Sequence, residues 1–107
     1  MSPRFDPAGL TFGLRQMLND EAKDRLRGRL NEVHTWPSVY MFKFVMEPDA
    51  ARMEALQALF PPESELLRRF SSGGKYLSVT VREVMLSAED VVRRYEQVGA
   101  IGGVIML

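Results

Sequence analysis

Apolar residues recur every three or four positions from Leu10 to Val33, at Leu10, Leu14, Leu18, Ala22, Leu26, Leu30 and Val33, with charged residues filling the intervals. That spacing predicts an amphipathic helix over residues 11–34, preceded by a loose segment, residues 1–10. A repeated four-residue step drifts by about 40° per repeat on a 3.6-residue helix, so the stripe winds around the axis. Gly28 weakens the end of the helix by roughly 1 kcal/mol relative to alanine and is the place for a bend.

The period then shortens to two. After Trp36-Pro37, the run Val39 to Met46 is aromatic and β-branched and is closed by Pro48, which predicts a first strand. Tyr40, Phe42, Phe44 and Met46 form its apolar face, and Val39, Met41, Lys43 and Val45 the face that carries a charge. The first face is therefore expected under helices. Pro48 suits a first helical turn, and DAARMEALQALF continues as a helix with Met53, Leu56 and Phe60 on one side.

Residues 65–86 read as a hairpin turning at Gly73-Gly74. A two-residue loop there sets Ser72 opposite Lys75, Phe70 opposite Leu77, Arg68 opposite Val79 and Leu66 opposite Val81. One face is then apolar except for Arg68, which an edge strand can carry to water on its long stem. The other face holds Leu67, Arg69, Tyr76, Ser78 and Thr80. Ser87 with Asp90 three residues on predicts a helix N-cap. A helix from Ala88 to about Val98 follows, with Gly99 as its stop and Ile101–Leu107 as a last strand.

These elements predict an α+β fold: a ferredoxin-like βαββαβ domain over 36–107, preceded by the N-terminal helix. The four-stranded antiparallel sheet has order 4-1-3-2, with two helices on one face. The whole chain reads as a single domain.

Composition narrows the chemistry. The chain of 107 residues has no cysteine, so disulfides, thiolate zinc sites and cysteine nucleophiles are excluded. Fourteen basic and fourteen acidic residues cancel. The balance disfavours nucleic acid, whose binders concentrate positive charge. No apolar run approaches the ~18 residues of a membrane span, and the start lacks a signal-peptide core. A cytoplasmic protein is expected.

Gly74-Lys75 is no phosphate loop. Tyr76 stands where Ser or Thr is needed, no glycine precedes at the required spacing, and a strand follows instead of a helix. His34 is the only histidine and is expected at the helix-to-strand junction as a cap or surface residue, which leaves no triad base and no His-His metal site. Arg68-Arg69 and Arg93-Arg94 have acidic neighbours and read as solvated faces. RNA-recognition domains share the topology, but GKYLSVTV offers one aromatic, Tyr76, where their signature has several. No catalytic, cofactor or metal residues are assigned. The last strand lacks charge and proline, so it is open to pairing with another chain. A homodimer through a sheet edge or the open face is expected, with candidate contacts Val39, Met41, Val45, Val104 and Met106. Lys75, Tyr76 and Arg82 form the candidate surface for another partner.

WPSVYMFKF, SSGGKYLSVTV with its Ser72, Gly74, Lys75, Tyr76 and Ser78 pattern, VMLSAEDVVRRYEQVG and the ending IGGVIML together resemble the YbeD-like family of small bacterial proteins of unknown function, over residues 17–107. That family is similar in fold to ACT regulatory domains, so the resemblance implies a stand-alone regulatory, ligand-sensing or protein-interaction module without catalytic residues. ACT effector sites commonly place a glycine between the first strand and first helix, where this chain has Met46-Glu47-Pro48-Asp49. The competing readings are an RNA binder using the open sheet face and an enzyme with an unrecognised site.

Overall fold

The computed structural model describes residues 19–107. Helix α1 spans Asp20–Val33, β1 Ser38–Met46, α2 Ala50–Ala58, β2 Leu66–Phe70, β3 Leu77–Met85, α3 Ala88–Ile101 and β4 Val104–Met106. The sheet order is β2-β3-β1-β4, the expected 4-1-3-2 read from the other edge, and all three pairings are antiparallel.

Alternation along the strands builds the core. Phe42, Phe44 and Met46 of β1 and Leu77, Val79 and Val81 of β3 are buried beneath Met53, Leu56 and Phe60, and beneath Val91, Val92, Tyr95 and Val98 of α3. The aromatic rings interlock, with Phe42 in edge contact with Tyr40, Phe60 and Tyr95. Burying side chains of this size contributes about 1.5–3 kcal/mol each.

Helix α1 docks on α3, away from the sheet's open face. Leu30 enters the core, Leu26 packs against it, Lys23 pairs with Glu96 at 2.8 Å, and Arg27 with Glu89 at 2.5 Å. The helix runs unbroken through Gly28, and its first residue is Asp20. Asn19 is extended (φ −74°, ψ 161°) and caps it, its Oδ1 accepting from the Ala22 N–H at 2.8 Å. Asp20 and Glu21 then meet the positive helix end. The expected loose segment 1–10 and the helical turns over 11–18 lie outside the described residues.

Three further expectations are corrected. Asp49 caps α2 by accepting from the Arg52 N–H at 3.0 Å, which puts Pro48 before the helix and not in its first turn. The β2–β3 register is as expected, but the connection is a longer loop through a 3₁₀ turn at Ser72–Gly74. Ser71 N–H donates to Tyr76 O, so Ser71 and Tyr76 close the loop, and Gly73 and Gly74 take the left-handed conformation inside it. Helix α3 passes Gly99 and ends at Gly102 (φ 80°), followed by Gly103 (φ 72°). A helix-interior glycine costs only about 1 kcal/mol, whereas two consecutive positive-φ residues end the helix outright. Strand β4 is therefore confined to Val104–Met106.

Phe70 lies on the face that alternation assigns to the core, yet it is 60% exposed, because nothing among the described residues covers the end of edge strand β2. Arg68, also on that face, is exposed and reaches Gln57 Oε1 at 2.9 Å, the escape expected of an edge. His34 caps α1, its N–H donating to Leu30 O, and its ring leans on Trp36 and Tyr40.

Candidate interaction surface

The helices cover one face of the sheet, and the two-residue alternation assigns the side chains of the other. Successive rows across that open face, from β2 toward β4, run Arg69, Ser78, Val45, Ile105; then Leu67, Thr80, Lys43; then Arg82, Met41; then Val84, Val39. Leu107 donates its N–H to Lys43 O, which extends the second row. Val39, Met41, Leu67 and Val84 are 59, 46, 49 and 58% exposed. Their exposure is not scattered: they lie on three adjacent strands of one face, the arrangement that marks interaction sites more often than isolated exposed aliphatics do.

Of the expected dimer contacts, Val39, Met41 and Val45 are on this face. Val104 is not available as a contact: it is fully buried in the core, and Met106 packs against that core beside it. The pairing of Val45 with Ile105 places Ile105 on the open side, a parity that the expected start of the last strand at Ile101 obscured. Val84 could have been found by continuing the alternation from Thr80 through Arg82.

The expected partner surface is divided. Lys75 is exposed in the hairpin loop, and Tyr76 next to it is half-buried, its N–H donating to Ser71 Oγ at 2.9 Å. Arg82 is six residues further along β3, about 20 Å away at ~3.3 Å per residue. It belongs with Met41 and Lys43 and not with the loop.

Charge is segregated between the faces. Among the described residues every ion pair lies on the helix side: Lys23 with Asp20 and Glu96, Arg25 with Glu21, Arg27 with Asp24 and Glu89, Arg52 with Asp49, Arg93 with Asp90, and Arg94 with Glu83. The hydrogen bond from Arg27 holds the Glu89 carboxyl below the usual carboxylate range, and the one to Glu96 raises Lys23. Lys43, Arg69 and Arg82 of the open face are exposed, and among the described residues no carboxylate stands within ion-pair distance of them.

Part-buried polar groups tie elements together. Arg94 on α3 donates to Glu83 Oε2 at 3.1 Å and to Leu59 O, and its guanidinium stands over the Phe60 ring. Glu83 Oε1 is 3.0 Å from the same guanidinium without hydrogen-bond geometry. Tyr40 and Tyr95 share a hydroxyl hydrogen bond of 2.8 Å, and burial, then that bond, drives the Tyr95 hydroxyl far above its ordinary value. A cleft of about 280 Å³ opens beside Glu83, Asp90 and Arg94, and another of about 420 Å³ beside Glu63, Glu65 and Arg82. No three His, Asp or Glu side chains among the described residues are grouped to hold a metal ion. None of the described helices is long and apolar enough to cross a membrane.

Residues 31–107 match the model of a protein family of unknown function, DUF493. The chain is also similar to a UPF0250 protein of Shewanella halifaxensis, 35% identical over 80 residues that cover 71% of this chain and 91% of the relative. No solved structure matches it.

Proposed function

Because the chain belongs to the DUF493 (UPF0250) family, the YbeD-like family of unknown function, its role has to be argued from its surface, and we propose a non-catalytic, cytoplasmic interaction module that regulates by docking through the open face of its sheet. The observation that carries this reading is the run of exposed Val39, Met41, Leu67 and Val84 on a face that no described element covers. Free energy is lost by leaving such groups in water, roughly 25 cal/mol per Å², and a binding partner recovers it.

The test separates a docking face from a structural one. Met41→Glu with Val84→Glu leaves the thermal midpoint of a monomer within about 2 °C, because neither side chain is part of the core. Collapse of that variant would mean the face is covered in the folded protein, against this reading. A panel of amino acids, metabolites and nucleotides should leave the wild-type midpoint unmoved. A ligand at about 100 times its Kd would stabilise by roughly 2.7 kcal/mol and would replace docking with small-molecule sensing.

Self-association through a sheet edge is a second reading, favoured by β4, which is outermost, uncharged and followed by Leu107 at 71% exposure. Light scattering across micromolar concentrations tests it, and a strictly monomeric mass rejects it.

A further inference from the structure

We infer that the open sheet face receives an acidic amphipathic segment of a protein partner. This rests on the docking reading above and adds the chemistry of the occupant. Three observations carry it. Lys43, Arg69 and Arg82 stand on the same face as Val39, Met41, Leu67 and Val84, so cations and apolar side chains are interleaved. No strand residue of that face is acidic; Glu83, the only carboxylate in the strands, turns to the helix side and pairs with Arg94. On the helix side, by contrast, Lys23, Arg25, Arg27, Arg52, Arg93 and Arg94 are each paired with a carboxylate of the chain.

The arrangement selects among occupants. A second copy laid face to face would bring Lys43, Arg69 and Arg82 of both copies into one interface, and like charges facing each other cost several kcal/mol. Nucleic acid supplies negative charge, but single strands bind sheets by stacking on exposed aromatic rings. Here Phe42 and Phe44 are fully buried on the opposite side, and Tyr76 is half-buried at the end of the face. A helix with apolar residues at i, i+3, i+4 and i+7 and Asp or Glu beside them satisfies both halves of the pattern. Glu63 and Glu65, which line the cleft next to Arg82, mark the limit of the positive field on the β2 side.

The experiment is selection from a random peptide library displayed on phage against the full chain, repeated against the K43E/R69E/R82E variant and against R29E. Arg29 is exposed on α1, outside the face, so R29E is a charge control. Enriched peptides should combine Asp and Glu with Leu, Ile or Phe. They should bind the triple variant at least about tenfold more weakly, keep their affinity for R29E, and lose affinity steeply with salt. Amide shifts in the labelled chain should cluster on residues 39–45, 67–69 and 78–84. Folding of the triple variant is checked by its amide spectrum; if it does not fold, R82E alone carries the comparison, with a several-fold loss expected.

Peptides that bind this face but show no acidic bias, or bind the triple variant as well as the wild type, overturn the acidic partner while leaving the docking face standing. Binding that maps to the helix side, or no enrichment at all, overturns the docking face itself. A short oligouridine that shifts the same amides and displaces the peptides assigns the face to nucleic acid and overturns the inference.

Discussion

Glu83 of β3 and Arg94 of α3 meet at 3.0 Å with each side chain only 15% exposed, so a single ion pair pins the third helix to the sheet. Arg94 also stacks its guanidinium 4.5 Å from the Phe60 ring centroid and donates to the Leu59 carbonyl. Strand, helix and the end of α2 thus share one cation. Removing it strands a largely buried carboxylate, so Arg94→Leu is expected to destabilise by about 2–4 kcal/mol. Glu83→Gln, which keeps shape and can still accept a hydrogen bond, should cost about 1 kcal/mol. The double variant Glu83→Leu with Arg94→Leu should cost clearly less than the sum of its single changes in urea unfolding. Additive costs would show that the two residues act independently.

The Tyr40–Tyr95 hydroxyl pair gives an alkaline signature. The folded value of Tyr95 is raised, first by burial, so its neutral form is stabilised in the native state. That contribution is complete below the ordinary tyrosine value of 10.0 and is lost as pH rises above it, because the unfolded chain ionises there and the folded chain does not. Wild-type stability should therefore fall above pH 10, and Tyr95→Phe should flatten that fall while costing about 1 kcal/mol at neutral pH. Urea midpoints taken between pH 8 and 11, beside the ultraviolet tyrosinate signal, decide it. Equal slopes for both proteins would mean that Tyr95 ionises freely in the fold.

The order of elements and the β2–β3 register were readable because they depend on period-two alternation and on where the chain must turn, both local properties of sequence. The core residues of β1 followed from the same rule. The end of α3 was misread because Gly99 and Gly102 look alike in sequence; what separates them is that helix turns up to Ile101 gain packing on the core. Phe70 faces Leu77 as its register requires and is still exposed, because alternation reports which face a residue joins, not how far the covering layer extends. The open face was half legible: Val39, Met41 and Val45 came from the pattern, but its charge imbalance required knowing which cations of the helix side find a carboxylate within the chain. The Glu83–Arg94 contact has no sequence signal, since neither spacing nor residue type brings two elements together.

Helix α1 should loosen in acid before the rest of the domain. Arg27 donates to Glu89 Oε1 at 2.5 Å and to Asp24 Oδ1 at 2.7 Å, and the first of these bonds holds Glu89 below its ordinary value of 4.5. A depressed carboxylate contributes stability above its unfolded value and loses it as pH falls through its folded one. The contribution from Glu89 is therefore lost over the acid interval that begins near its ordinary value of 4.5 and runs down through its lower folded value. The protection of amides 22–33 from exchange, taken relative to the intrinsic rate at each pH, should fall over that interval in the wild type, and Glu89→Gln should show the lower protection already at pH 6, with little further change in acid. A variant whose exchange keeps the wild-type pH profile would assign the acid sensitivity to other groups.

Two glycines in this chain should respond to alanine with opposite signs. Gly103 is held at φ 72°, and a Cβ built there would stand 3.0 Å from Arg52 Nη2 and 3.1 Å from Arg52 Cζ. That guanidinium is not free to retreat without loss, because its Nε donates to Gly102 O at 3.1 Å and Nη1 to Glu47 O at 3.4 Å, tying α2 to the approach of β4. Gly103→Ala therefore combines backbone strain of about 1–2 kcal/mol with disturbance of the Arg52 contacts, for an expected loss of about 2–3 kcal/mol. Gly28 lies inside α1 with nothing within 4 Å of a built Cβ, so Gly28→Ala should gain up to about 1 kcal/mol from helix propensity alone. Arg52→Ala separates the two components at Gly103: in that background the G103A penalty should shrink to the backbone part, while the G28A gain should be unchanged. Urea unfolding of the three single and two double variants measures both, and an undiminished G103A penalty in the absence of Arg52 would attribute it to backbone conformation alone.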